Sequence, residues 1–121
     1  MSQENRTLNE ALQSVVGRPI QTVDFVEDYV QFHWVGSSVT AFTMPKVFQD
    51  GVEYGSEDPE YRSILYRLEG QTLIRTDVAL GEDVRFFFTR ALLLRVSLRN
   101  EDYRGPEALQ FRKADDSLWV G

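Results

Sequence analysis

Cysteine is absent from these 121 residues. Disulfide staples, thiolate metal sites and cysteine nucleophiles are excluded with it. Histidine occurs once, at His33, which argues against zinc held by the usual ligand sets, so no metal is expected. No apolar run approaches the ~20 residues of a bilayer-spanning helix. The opening M-S-Q-E-N-R lacks the basic start and apolar stretch of a signal peptide. A cytoplasmic protein without a membrane partner is therefore expected. Basic charge is scarce as well: 13 Lys and Arg face 19 Asp and Glu, for a net charge of −6. Duplex nucleic acid, whose phosphates call for clustered cations, is not expected as a partner. Neither G-x-G-x-x-G nor G-x-x-x-x-G-K-[ST] occurs, and no cofactor is expected.

What is present is enough for one domain over residues 1–121, with 42% apolar and 12% aromatic residues. The polar stretch Met1 to Arg6 is expected to fray. Patterning suggests an internal repeat. V-V-G-R-P-I-Q-T-V-D-F from Val15 resembles L-E-G-Q-T-L-I-R-T-D-V from Leu68, setting Gly17 on Gly70 and Asp24 on Asp77. After a one-residue insertion, D-Y-V-Q-F-H-W-V from Asp28 matches E-D-V-R-F-F-F-T from Glu82. This divides the chain into pseudo-symmetric halves, about 7–54 and 58–121.

Each half opens with a helical stripe. Leu8, Ala11, Leu12, Val15 and Val16 form the first, with a capping box at Thr7 and Glu10 and a stop at Gly17. Tyr61, Ile64, Leu65 and Leu68 form the second, with Asp58 as N-cap, Pro59 as the first helical residue and Gly70 as the stop. Three strands follow each helix. Val30, Phe32 and Trp34 alternate inward in one, and Val84, Phe86 and Phe88 in its counterpart. In the third strands Thr40, Phe42 and Met44 are expected inward, answered by Leu94, Val96 and Leu98. A hairpin turning on Asp50-Gly51 ends the first half, and a looser one around Ala114 to Ser117 ends the second. The expected class is α+β in two layers: an internally repeated α-β-β-β-hairpin unit, with both helices on one face of a largely antiparallel curved sheet. A half-barrel around the helices is the alternative.

Constellations for chemistry are few. A Ser-His-acid set would have to use His33 with Ser37, Ser38 or Ser97, but a mid-strand histidine reads first as a half-exposed sheet residue. Asp24 and Asp77, the repeated acids, read as structural strand-end residues that bond a backbone amide. The outer face is expected to carry Gln31, His33, Ala41, Thr43, Arg85, Phe87, Thr89, Arg95 and Ser97. Among these, His33, Arg85, Phe87 and Arg95 would make a patch for an anionic or aromatic ligand. Charge is segregated, with Arg85, Arg90, Arg95, Arg99 and Arg104 at short intervals and a wholly acidic set between Asp50 and Glu60.

The run D-Y-R-G-P-E-A from Asp102, with G-R-P-I-x-x-V-x-F near the start and L-W-V at the end, resembles a group of small uncharacterised bacterial proteins. That group carries no established enzymatic activity, so the resemblance implies no catalytic residue. In size and charge the chain is similar to immunity proteins that neutralise toxins. The expectation is a non-catalytic protein-binding module, an immunity-type neutraliser of a basic toxin. Its contacts would be Glu53, Glu57, Asp58, Glu60, Glu101, Asp102 and Glu107. The alternative is a small-ligand binder or minor enzyme on the face around His33, and a homodimer is a third possibility. The segment from Asn100 to Phe111 reads as a corner, turned by Gly105-Pro106, with Tyr103 packed beneath it and Arg104 bridging Glu101 or Glu107.

Overall fold

The computed structural model describes residues 3–103, 105, 107–114 and 118–120, with residues 3–7 as backbone alone. Helix α1 spans Gln3–Leu12 and tightens into a 3-10 turn at Gln13–Val15. Thr7 and Glu10 thus lie inside the helix, not at its cap, and residues 3–6 are helical where fraying was expected. Gln, Glu and Arg are good helix formers, which is why the polar start extends the helix. Leu8, Leu12 and Val15 bury its stripe. Helix α2, Tyr61–Tyr66, begins three residues beyond the expected cap. Asp58 instead closes the turn before it, its carboxylate accepting from the Gly55 amide at 2.8 Å. Tyr61, Ile64, Leu65 and Leu68 are buried.

The strands are β1 (Thr22–Val26), β2 (Tyr29–Trp34), β3 (Ser37–Ala41), β4 (Lys46–Gln49) and β5 (Val52–Tyr54), then β6 (Leu73–Ala79), β7 (Asp83–Phe88), β8 (Leu92–Ser97), β9 (Leu109–Lys113) and β10 (Leu118–Val120). They make two antiparallel five-stranded sheets, ordered β1-β2-β3-β9-β10 and β5-β4-β8-β7-β6. The single curved sheet expected from the pattern is corrected here to two. The first crossing runs over Phe42 to Pro45, between the end of β3 and the start of β4, which pairs with β8; Pro45, with no N–H for a ladder, stands directly before β4. The return crossing runs from Leu98 to Ala108, after which β9 pairs with β3. Each hairpin therefore completes the other half's sheet. Substituting β6, β7, β8, β4, β5 for β1, β2, β3, β9, β10 converts one strand order into the other. Nor do both helices lie on one face, since α1 packs on β6 and reaches β10, while α2 packs on β4 and β1.

The inner faces of both sheets share one core, in which Phe32, Phe86, Phe111, Leu94 and Leu109 are fully buried. Parity in β2, β7 and β8 follows the expected alternation. In β3 it is reversed. Val39 and Ala41 face inward opposite Phe32 and Val30, and the strand ends before Phe42. The run S-V-T-A-F-T-M carries apolar residues in both parities, so alternation alone cannot choose, and register with β2 decides. Ala41 and Thr43, expected on the outer face, are buried.

Between the halves, the segments after the two helices pair with each other. The Gly17 amide donates to the Leu73 carbonyl at 2.7 Å, and the Gly70 amide to the Ile20 carbonyl at 2.8 Å. Leu73 donates to Arg18, and Ile20 to Gln71, at 3.1 and 3.0 Å. Each bond becomes its partner when the residues of one half are exchanged for those of the other. Edge strand β1 is protected by a carboxylate, as the Val23 amide donates to Glu69 Oε2 at 2.9 Å.

Candidate functional site

Sheet register places outward side chains in rows across the strands. On the second sheet one row reads Glu53, Phe48, Leu93, Phe87, Arg75 from β5 to β6. Phe48, Leu93 and Phe87 are half-buried, although they face away from the core. The Arg75 guanidinium lies 3.9 Å from the centre of the Phe87 ring. The adjacent row reads Lys46, Arg95, Arg85, Asp77. Three cations thus stand directly opposite one another on neighbouring strands. Lys46 reaches Glu53 at 3.1 Å and Arg85 reaches Asp83 at 3.4 Å. Arg95, between them, forms no ion pair with a described residue; its guanidinium lies 5.6 Å from the Phe48 ring centre.

The end of this row opens on a groove of about 440 Å3, with Lys46, Arg95, Ser97 and Arg99 among its walls. Glu82, Asp83 and Asp102 also line it. Those acids have partners within the chain. Arg99 meets Glu82 at 3.2 Å and Glu101 at 3.6 Å, and Ser97 donates to Asp102 at 2.6 Å. The hydrogen bond that Arg99 donates to Glu82, followed by the charges of Glu82 and Glu101, holds the exposed Arg99 guanidinium above its ordinary pKa.

The equivalent rows of the first sheet are polar from β1 to β9 and end on β10 in the exposed apolar Leu118 and Val120. They read Thr22, His33, Ser38, Arg112, Leu118 and Asp24, Gln31, Thr40, Gln110, Val120. His33 Nε2 lies 3.2 Å from Asp24 Oδ2, and both are substantially exposed. Ser38 stands across from His33, but no hydrogen bond links them, and Ser97 belongs to the other sheet. Asp24 and Asp77 are mid-strand residues of different sheets. Asp24 faces His33 and Asp77 faces Arg75 at 3.5 Å, so the strand-end role expected for them is not what their side chains do.

The residues expected at a site are thus regrouped. Arg85, Phe87 and Arg95 share one face, but His33 lies on the other sheet, and the four-residue ligand patch does not form. The acidic set is dispersed. Glu53 pairs with Lys46, Asp58 with the Gly55 amide, Asp102 with Ser97, and Glu107 accepts from Gln110 Nε2 at 2.9 Å. Glu57 and Glu60 remain exposed before α2. In the corner Asn100–Asp102 forms a 3-10 turn and Tyr103 packs against the core, while Arg104 and Pro106 lie outside the described residues. Lys46, Phe48, Leu93 and Arg75 were not anticipated. Strand parity alone points Phe48 and Leu93 outward, but only the exchanged pairing of β4 with β8 makes them neighbours.

Among the described residues, no cluster of three or more His, Asp or Glu is placed to hold a metal ion. Among the same residues no helix is long and apolar enough to cross a membrane. Comparison with family models, curated proteins and solved structures gave no match.

Proposed function

We propose that this chain is a non-catalytic protein-binding module whose contact surface is the outer face of the second sheet. One contrast carries the reading. At matching positions of two sheets with the same strand order, the first has Arg112-Ser38-His33 beside Gln110-Thr40-Gln31, and the second has Phe48-Leu93-Phe87 beside Lys46-Arg95-Arg85. The first is what solvent alone requires. The second combines aromatic rings, leucine and arginine, the composition of an interface centre. It also sets like charges directly opposite, which costs stability. A costly arrangement kept at one of two equivalent faces supports a role outside folding. An immunity-type occlusion of a toxin domain is one form this activity takes. We further infer that the halves are copies of one unit, a reading supported by the matching strand orders and the reciprocal bonds around Gly17 and Gly70.

The test compares proteins retained from a lysate at low salt by immobilised wild type, Leu93→Arg and Gln110→Lys. Loss of a retained protein with Leu93→Arg but not with Gln110→Lys is expected. Equal retention by all three, or none by any, sinks the reading. Light scattering on the same variants identifies a second copy of the chain as the occupant if wild type alone dimerises.

A further inference from the structure

Given that second-sheet reading, on which this inference rests, the charges indicate what chemistry the partner brings. Most of the acids around the face are answered within the chain: Glu53 by Lys46, Asp83 by Arg85, Glu82 and Glu101 by Arg99, and Asp102 by Ser97. Of the cations on this face, Lys46, Arg75 and Arg85 each meet an acid, whereas Arg95 forms no ion pair with a described residue; it sits between Lys46 and Arg85 on strands about 5 Å away on either side. Its own packing partner is a ring, Phe48. A guanidinium fork takes a carboxylate through two parallel N–H···O bonds, and the groove beside Arg95 leaves room for one.

We propose that Arg95 is the anchor for a carboxylate presented by an acidic and apolar segment of the partner protein. The carboxylate settles on Arg95 between Lys46 and Arg85, and a neighbouring apolar side chain covers Phe48, Leu93 and Phe87. The partner surface is then acidic at its centre, opposite in sign to the basic toxin that net charge suggested. Local pairing overrules net charge here, because most of the chain's surplus carboxylates lie away from this face or are already paired.

The probes are two blocked dipeptides, acetyl-Glu-Phe-amide and acetyl-Gln-Phe-amide. Each is titrated into the full-length protein in low-salt, phosphate-free buffer, following backbone amide and arginine Nε–Hε NMR signals. Saturable shifts are expected at Arg95, Leu93 and Phe87, with the Glu peptide binding about tenfold tighter than the Gln peptide, as for hydrogen bonds to charged groups. Arg95→Gln is expected to remove that preference. It is also expected to raise the low-salt melting temperature, because the like-charge crowding is relieved. Arg95→Lys keeps the charge but loses the fork, and is expected to lose most of the preference without the gain in stability. Equal binding of the two peptides, shifts spread over all arginines, or an Arg95→Gln protein that melts no higher than wild type each overturns the proposal. If these fail while Leu93→Arg still releases a retained protein, the protein-binding reading stands and only its acidic anchor falls.

Discussion

At the scale of single residues, Tyr61 links helix α2 to the crossing between sheets. It is 3% exposed, and its hydroxyl donates to the carbonyl of Pro45, the last residue of the crossing before β4. Burial, and then the charge of Glu57, push its phenol well above the ordinary 10.0. A raised folded-state pKa means the folded protein holds this proton more tightly than the unfolded chain. Its contribution is therefore complete below about pH 10 and falls as pH rises beyond that value, toward the folded pKa. Tyr61→Phe should cost about 1–3 kcal/mol at neutral pH by leaving the Pro45 carbonyl unpaired, and should flatten the alkaline loss. Urea unfolding from pH 7 to 11 measures both, and identical alkaline slopes for the two proteins would contradict the assignment. Gly17 and Gly70 pose a matched case. Both have positive φ, +87° and +85°, with open space where a Cβ would sit. Alanine at either should cost about 1–2 kcal/mol from backbone conformation alone, and by nearly equal amounts. A large difference in urea midpoint between the two variants would show that the segments are not equivalent. Gly17 directly follows the cap of the first helical segment, as its sequence position suggested, whereas α2 already stops at Tyr66 with Arg67 as its C-cap, so Gly70 is not the helix-ending residue expected. The hydrogen bonds of both to the opposite half were not legible in the sequence, because no local pattern encodes a partner half a chain away.

At the scale of elements, period-two alternation reads correctly where one parity is apolar and the other polar, as in V-Q-F-H-W of β2. It misreads β3, where both parities offer apolar residues and the neighbouring strand decides. The three consecutive leucines of β8 sharpen the point. Leu92 and Leu94 face the core, whereas Leu93 lies on the outer face between Phe87 and Phe48. Leu94→Ala should cost about 2–5 kcal/mol, since Leu94 is 1% exposed between Phe86 and Val47. Leu93→Ala should cost under about 1 kcal/mol, in keeping with a residue outside the core. Equilibrium urea denaturation gives both values, and comparable losses would mean the register is shifted. The candidate face was legible only in pieces for the same reason. Arg85, Phe87 and Arg95 point outward by parity, but Lys46 and Phe48 join them through β4, a strand from the other half. His33 was grouped with them because parity shows which residues point outward, not which sheet they belong to.

At the scale of the molecule, neither half can finish a sheet by itself. The first contributes β1 to β3 to one sheet and only β4 and β5 to the other, and the second mirrors this division. Cutting between Ser56 and Glu57, at an exposed turn before α2, separates the halves without interrupting a strand. Alone, the fragment 1–56 would leave the outer edge of β3 without β9, and Phe32 and Val39 without Phe111 and Phe86 to bury them. The fragment 57–121 would similarly lose β4 from the edge of β8. A stretch of about 60 residues with two open edges and half a core sits at the margin of independent stability. Each fragment is therefore expected to be unfolded by circular dichroism, and their equimolar mixture to recover the spectrum and the cooperative melting of the intact chain. A fragment that folds as a monomer would contradict the interdependence of the sheets. One that folds only as a homodimer would fit the exchange of hairpins, with a second copy supplying the strands that the other half provides in the whole protein. Sedimentation equilibrium on each fragment separates these outcomes, because the exchange predicts that structure and association appear together or not at all.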